Sequence, residues 1–181
     1  MLSSEQLRLL WQRHAAALLL VARGHCSGFG ATAAEDCVQK AFVRLATQEP
    51  QPHEPAGWLM RTVRNAAIDV VRSQQRRRSR EEKAVENRPA WLEPIDPSTF
   101  DSPSAQELAV SLEKLDAVTR DIIIGHVWNN LTFRQIADAM DLSPATAHRR
   151  YDAGLKHLKH LLSSDPETAA THIQTIPDES I

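Results

Sequence analysis

Seven arginines fall within residues 61–80 (Arg61, Arg64, Arg72, Arg76, Arg77, Arg78 and Arg80) against the single acid Asp69, a local charge of +6 in a chain whose formal net charge is −2. A guanidinium offers a planar fork of donors matched to phosphate and keeps its charge at any physiological pH, so such a run suits gripping a polyanion rather than making or breaking bonds. At helical spacing Arg61, Arg64, Asn65, Ile68 and Arg72 share one face, which runs into Arg76, Arg77 and Arg78 without a balancing acid. Surface charge ordinarily means only a solvated face; the missing counter-charges favour polyanion contact here. The acids are gathered elsewhere. Residues 81–107 hold seven acids against Lys83 and Arg88, a local charge of −5, and residues 163–181 hold four acids with no Lys or Arg.

The rest of the chain is poorly equipped for catalysis. It contains no G-x-x-x-x-G-K-[ST], G-x-G-x-x-G, H-E-x-x-H or G-x-S-x-G pattern, and Gly24, Gly28 and Gly30 read only as a turn. Cys26 and Cys37 are the only cysteines, too few for a disulfide scaffold, and are expected as reduced thiols. With His25 they lack the paired ligand spacing of a zinc site. No catalytic residue, metal ligand or cofactor is expected, and the chain is not expected to be an enzyme. No apolar run approaches the roughly 18 to 20 residues that cross a bilayer, and Glu5 and Arg8 interrupt any signal-peptide layout, so a cytoplasmic chain without membrane insertion is expected.

The elements that position these residues are helical throughout. Leu7, Trp11, His14, Leu18 and Val21 repeat at three-to-four spacing up to Gly24, predicting a first helix of about 20 residues. A second begins near Ala33, buries Val38, Ala41, Phe42 and Leu45, and stops before the prolines Pro50, Pro52 and Pro55. Pro55 fits the first turn of a third, over about 56–78, with Leu59, Val63, Ala66 and Val70 inward; Trp58 reads as core packing beside that stripe. From Arg80 to Ser104, Pro89, Pro94, Pro97 and Pro103 forbid a long helix, although Trp91, Leu92, Ile95 and Phe100 are too apolar for a bare spacer.

A second helical unit follows, with Leu108, Leu112 and Leu115 on one face and Val118, Ile122, Ile123 and Val127 on the next helix. Thr132-Phe133-Arg134-Gln135 has the form of a capping box opening a short helix that buries Ile136, Ala137 and Met140. Asp141-Leu142 makes a tight turn, Ser143 caps the last helix, and Ala147, Tyr151, Leu155, Leu158 and Leu162 form its apolar stripe. Thr146, His148, Arg149 and Arg150 are left outward. Two short helices joined by a tight turn, the second opening on small, hydroxyl and basic residues, match a helix-turn-helix whose second helix enters the DNA major groove. A generic helical hairpin with a basic face is the competing reading.

The order of these segments resembles the extracytoplasmic-function (ECF) group of the sigma-70 family of RNA polymerase sigma factors, over about residues 5–80 and 105–162. The resemblance lies in residues 34–45 (Ala34-Glu35-Asp36-Cys37-Val38-Gln39-Lys40-Ala41-Phe42-Val43-Arg44-Leu45), residues 57–69 (from Gly57-Trp58-Leu59-Met60 to Ile68-Asp69) and residues 131–137 (Leu131-Thr132-Phe133-Arg134-Gln135-Ile136-Ala137). Each pattern is degenerate alone; three in this order and spacing are specific. The resemblance implies an all-α fold of two small helical domains joined by a flexible Pro-rich acidic linker. Its implied divisions are a region 2-like domain (1–80), a linker (81–104), a region 4-like helix-turn-helix domain (105–162) and a flexible acidic tail (163–181).

It further implies that Asp36, Gln39, Lys40 and Arg44 contact the clamp coiled coil of core RNA polymerase, with the polymerase flap as a second contact. Arg61, Arg64, Asn65, Arg72, Arg76 and Arg77 would engage the minus-ten promoter element, and Thr146, His148, Arg149 and Arg150 the minus-thirty-five element. An anti-sigma factor or other regulatory protein is an expected partner. The family commonly has Val-Gly-Thr-Val-Lys-Ser-Arg where this chain has Pro144-Ala145-Thr146-Ala147-His148-Arg149-Arg150, which leaves the promoter sequence open. The alternative from the residues is a helix-turn-helix regulator that binds operator DNA without being a polymerase subunit.

Overall fold

A computed structural model describes residues 2–26, 31–82, 108 and 110–164. The described residues are helical, without a strand. Helix α1 spans Ser4–Cys26, α2 Ala31–Thr47, α3 Pro55–Glu82, α4 Ala117–Val127, α5 Phe133–Met140 and α6 Pro144–Ser164. The helical segment before α4 ends at Glu113. Both α1 and α3 run a little past the ends that the Gly24 and Arg78 signals predict. The linker residues Trp91, Leu92, Ile95 and Phe100 and the tail 165–181 lie outside the described residues.

Helices α1 to α3 form a bundle whose centre is built from the predicted stripes. Leu18, Val21 and Ala22 of α1 meet Val38, Ala41 and Leu45 of α2 and Leu59, Met60 and Val63 of α3, all with 3% or less of their surface exposed. The loop after α2 is held by Gln51, whose Nε2 donates to the Gln48 carbonyl at 2.8 Å and so satisfies an orphan acceptor at a helix end. Pro55 occupies the first turn of α3, where its missing N–H costs nothing.

In the second half, the Asp116 side chain caps α4 by accepting from the Thr119 N–H at 3.1 Å. Thr132 and Gln135 form the predicted capping box on α5. Asp141 closes that helix in the left-handed region at φ 55°, a conformation its short polar side chain tolerates, and turns the chain into α6. Ser143 Oγ accepts from the Thr146 N–H at 3.1 Å, as expected of its cap. Each cap is worth about 1 kcal/mol, a large share of what holds so short a helix as α5.

The two halves share one core. Ile122 and Ile124 of α4, Ile136 and Ala137 of α5 and Ala147 of α6 belong to the same buried cluster as the α1–α3 bundle. Helix α3 packs on α5, and α1 packs on α4. The reason is visible in α4, where Thr119 to Gly125 are buried without interruption. The successive residues Ile122, Ile123 and Ile124 point to different sides of the helix, so it has to be covered on more than one side. Ile123 faces a smaller cluster with Leu112, Leu115 and Leu158, which leaves Ile122 and Ile124 for the N-terminal bundle.

Four residues placed on buried stripes by periodicity are exposed: Trp11, Val127, Leu155 and Leu162. Trp11 lies at the rim of the bundle, edge-on to Phe42 at 4.8 Å. The covered line of α6 runs through Ala147, Gly154 and Leu158, and Leu155 and Leu162 lie at its edge rather than on it. Trp58 is half-buried, with the Arg44 guanidinium 5.7 Å above its ring, rather than a full core residue.

Candidate nucleic-acid interface

Helix α6 carries the first candidate surface. Ala147 is fully buried against α5, which turns Ala145, His148 and Arg149 outward and leaves Thr146 partly covered. His148 lies 3.2 Å from Asp152 and edge-on to Phe133, and Arg150 is within 3.3 Å of Asp116. Burial pulls the Asp116 carboxyl upward, but the Thr119 hydroxyl and N–H, Arg150 and the Val118 N–H together hold it below the usual range. Arg149 makes no ion pair among the described residues, so α6 presents it unencumbered.

Helix α3 carries the second. Asn65, Arg72 and Arg76 are exposed, as the spacing predicts, and Arg72 and Arg76 make no ion pair among the described residues. The side chain of Arg77 lies outside the described residues. Arg61 and Arg64 point instead at the second half. Arg61 Nη2 donates to Asp141 Oδ1 at 2.8 Å across an exposed gap. Arg64, only 16% exposed, donates through Nε to Asp121 Oδ2 at 3.1 Å. The same oxygen lies 2.7 Å from His25 Nε2, and the Asp121 side chain is wholly buried.

Around Asp121 the interface is polar and incompletely matched. Arg120 Nη2 donates to the Gly24 carbonyl at 2.7 Å, His14 Nδ1 lies 3.1 Å from Asn129 Oδ1, and Gln135 Nε2 donates to Glu54 at 2.6 Å. Burial lowers the His14 pKa and nearby Arg13 adds to this, while the contact with Asn129 opposes it. Arg120 Nε, Asp121 Oδ1 and Asn129 Nδ2 are buried without a hydrogen bond among the described residues. Each such atom forfeits about 1 to 3 kcal/mol of solvation. Periodicity had no means of finding His25 or Asp121 as partners, since they are 96 positions apart.

On α2, Asp36, Gln39, Lys40 and Arg44 are all exposed, with Lys40 Nζ 3.4 Å from Asp36. Val43 lies among them with 67% of its surface exposed, an apolar site on a polar face that the sequence reading passed over. Its signal was its place off the Val38, Ala41, Phe42, Leu45 stripe. Cys26 and Cys37 are both buried free thiols, and burial, aided by its neighbour Cys37, pushes Cys26 up to about 11. No group of three metal-ligating side chains occurs among the described residues.

A helical bundle followed by a capped helix-turn-helix, each half with exposed arginines, defines a two-part nucleic-acid-binding class. Residues 10–77 match Sigma-70 region 2 and residues 105–158 match Sigma-70 region 4, together more than half of the chain. The ECF RNA polymerase sigma factor SigK of Mycolicibacterium vanbaalenii is 26% identical over 137 residues, covering 75% of this chain and 69% of that one. Sigma factor RpoE of Bartonella quintana, solved in complex with the anti-sigma factor NepR, superposes with a TM-score of 0.58 at 25% identity, covering 87% of this chain and 96% of RpoE. CnrH, solved with the cytosolic domain of CnrY, shares the fold with a TM-score of 0.55 at 23% identity, covering 90% of this chain and 91% of that one.

The chain belongs to the sigma-70 family, as an RNA polymerase sigma factor of the ECF type. No helix among the described residues is long and apolar enough to cross a membrane.

Proposed function

We propose that this sigma factor acts by binding alone, using three surfaces in succession. The exposed face of α2, with Asp36, Gln39, Lys40 and Arg44 around Val43, docks on the clamp coiled coil of core polymerase. Helix α3 then holds the minus-ten element through Arg61, Arg64, Asn65, Arg72, Arg76 and Arg77, with guanidinium–phosphate pairs supplying affinity and bases captured from the opened strand supplying the driving force for melting. Helix α6 reads the minus-thirty-five element: its N-terminal N–H groups favour a phosphate, and Arg149 and His148 are placed to reach base edges. The polymerase flap is the contact assigned to the second half.

The observation that carries this reading is the order of the two matched regions along one chain, each ending in an exposed basic helix. Because RpoE is held by an anti-sigma factor in its solved complex, a regulatory protein of that kind is the partner proposed here. No cofactor or nucleotide turnover enters the scheme, and a cytoplasmic site of action follows from it.

Transcription in vitro by core polymerase on a library of randomised promoters tests the reading. The expected result is enrichment of a two-block promoter in transcripts made only when the chain is added. Binding of core without enrichment, or enrichment that survives Arg149→Ala at the upstream block, overturns it.

A further inference from the structure

We infer that Cys26 and Cys37 form a two-coordinate site for a soft divalent cation, of which mercuric ion is the fitting case, at the seam between α1 and α2. The two thiols come from different helices: Cys26 is the last residue of α1, and Cys37 lies in the second turn of α2. Both are 3% exposed, and no disulfide joins them. The thiols lie side by side, and Cys26 Sγ also points at the Ala67 carbonyl of α3, 4.0 Å away. Free cysteine often serves a core as a small apolar residue. Two thiols that meet across a helix seam are in addition a chelating pair.

The surroundings select the ion. Ala22, one turn before Cys26, and Ala34 and Ala41, on either side of Cys37, are buried in the same cluster, so small apolar side chains border the pair. No third His, Cys, Asp or Glu completes a metal-binding group with them among the described residues. His25 is next in sequence, but its Nε2 is committed to Asp121. Zinc asks for four ligands and finds two here. A soft cation that is content with two sulfurs in line fits better. Charge then decides between such ions: a monovalent one leaves a negative bis-thiolate in an apolar core, whereas a divalent one leaves it neutral. Binding is a proton exchange, in which one mercuric ion and two thiols give a neutral sulfur–mercury–sulfur unit and two protons, with no change of oxidation state. Burial keeps both thiols protonated at neutral pH, so both protons have to leave. Cys26 ends its helix, and a helix end opens more readily than its middle, which gives the ion a way in.

The test equilibrates the full reduced chain with one equivalent of mercuric chloride and then adds rising 2-mercaptoethanol as a competing monothiol. The native chain should take up one ion, release two protons and keep its helicity. X-ray absorption at the metal edge should show two sulfur neighbours and no nitrogen or oxygen. Removing half of the ion should need about a hundredfold more monothiol than for Cys26→Ser or Cys37→Ser, each of which offers a single sulfur. The wild-type chain in urea keeps the same two sulfurs tethered but unplaced, and should give up its ion to about tenfold less monothiol than the native chain. That comparison keeps the test decisive should a serine variant lose the fold. Equal retention by wild type and both single variants overturns the pairing. Equal retention by native and urea-unfolded chains, or loss of helicity on uptake, overturns the claim that the fold builds the site.

Discussion

Gly154→Ala sets two well-known effects against each other, and the structure decides between them. Gly154 lies in the interior of α6, where replacing glycine by alanine ordinarily stabilises a helix by about 1 kcal/mol. A Cβ there, however, would stand 2.5 Å from Thr119 Cγ2 and 2.8 Å from Ile123 Cδ1, both on α4. Carbon atoms rest at about 3.5 to 4.0 Å, so α6 has to retreat by roughly 1 Å. Thr119 and Ile123 are buried and β-branched, with little rotamer freedom to yield instead. Overpacking of this kind costs about 1 to 3 kcal/mol, so the net expectation is a loss of about 0 to 2 kcal/mol despite the better helix former.

Ala153→Gly, one position away on the exposed face, reports the propensity term alone and should cost about 1 kcal/mol. Urea denaturation followed by helicity measures both. The same retreat displaces Thr146 to Arg150, so promoter affinity of the Gly154→Ala holoenzyme should fall. A Gly154→Ala protein stabilised by about 1 kcal/mol, as at any exposed helical glycine, would refute the close approach of α6 to α4.

His14 makes the seam between the halves sensitive to acid. Its folded pKa is lowered, so the unfolded chain takes up the proton first, and stability is lost as pH falls below the ordinary histidine value of about 6.5. One unit below that value the loss is at most about 1.4 kcal/mol, and it should appear as the difference in pH dependence between wild type and His14→Gln, melted at about pH 7.5 and 5.5. Equal pH dependence of the two proteins would refute the assignment. Cys26, pushed up to about 11, should be nearly inert toward iodoacetamide in the native protein. At about pH 7.5 its thiolate fraction is on the order of several hundredfold below that of a free thiol, so alkylation should proceed readily only in urea; rapid labelling of the folded chain would show the site to be open.

Much of this protein is determined by local chemistry and so is legible in its residues one stretch at a time. Proline at the start of α3, the Thr132–Gln135 box, the Ser143 cap and the three-to-four spacing of Val38, Ala41, Phe42 and Leu45 each act within one or two helical turns. The exposure of Asp36, Gln39, Lys40, Asn65, Arg72, Arg76, His148 and Arg149 follows from the same periodicity, because a residue off the apolar stripe faces away from the core. What periodicity could not report was which edge of an apolar stripe meets the neighbouring helices: on α6 the covered line runs through Ala147, Gly154 and Leu158, and Leu155 and Leu162 are exposed beside it.

Tertiary structure alone decided how the two halves meet. The uninterrupted burial from Thr119 to Gly125 hinted that α4 needs cover on both sides, but the identity of that cover is a matter of shape. The pairings of His25 and Arg64 with Asp121, of His14 with Asn129 and of Gly24 with Arg120 join positions 57 to 115 residues apart. No spacing rule reaches so far along a chain. Charge along the sequence names the arginines that are able to hold a phosphate; only the packing of α4 on α1 and α3 determines which of them is already holding a carboxylate.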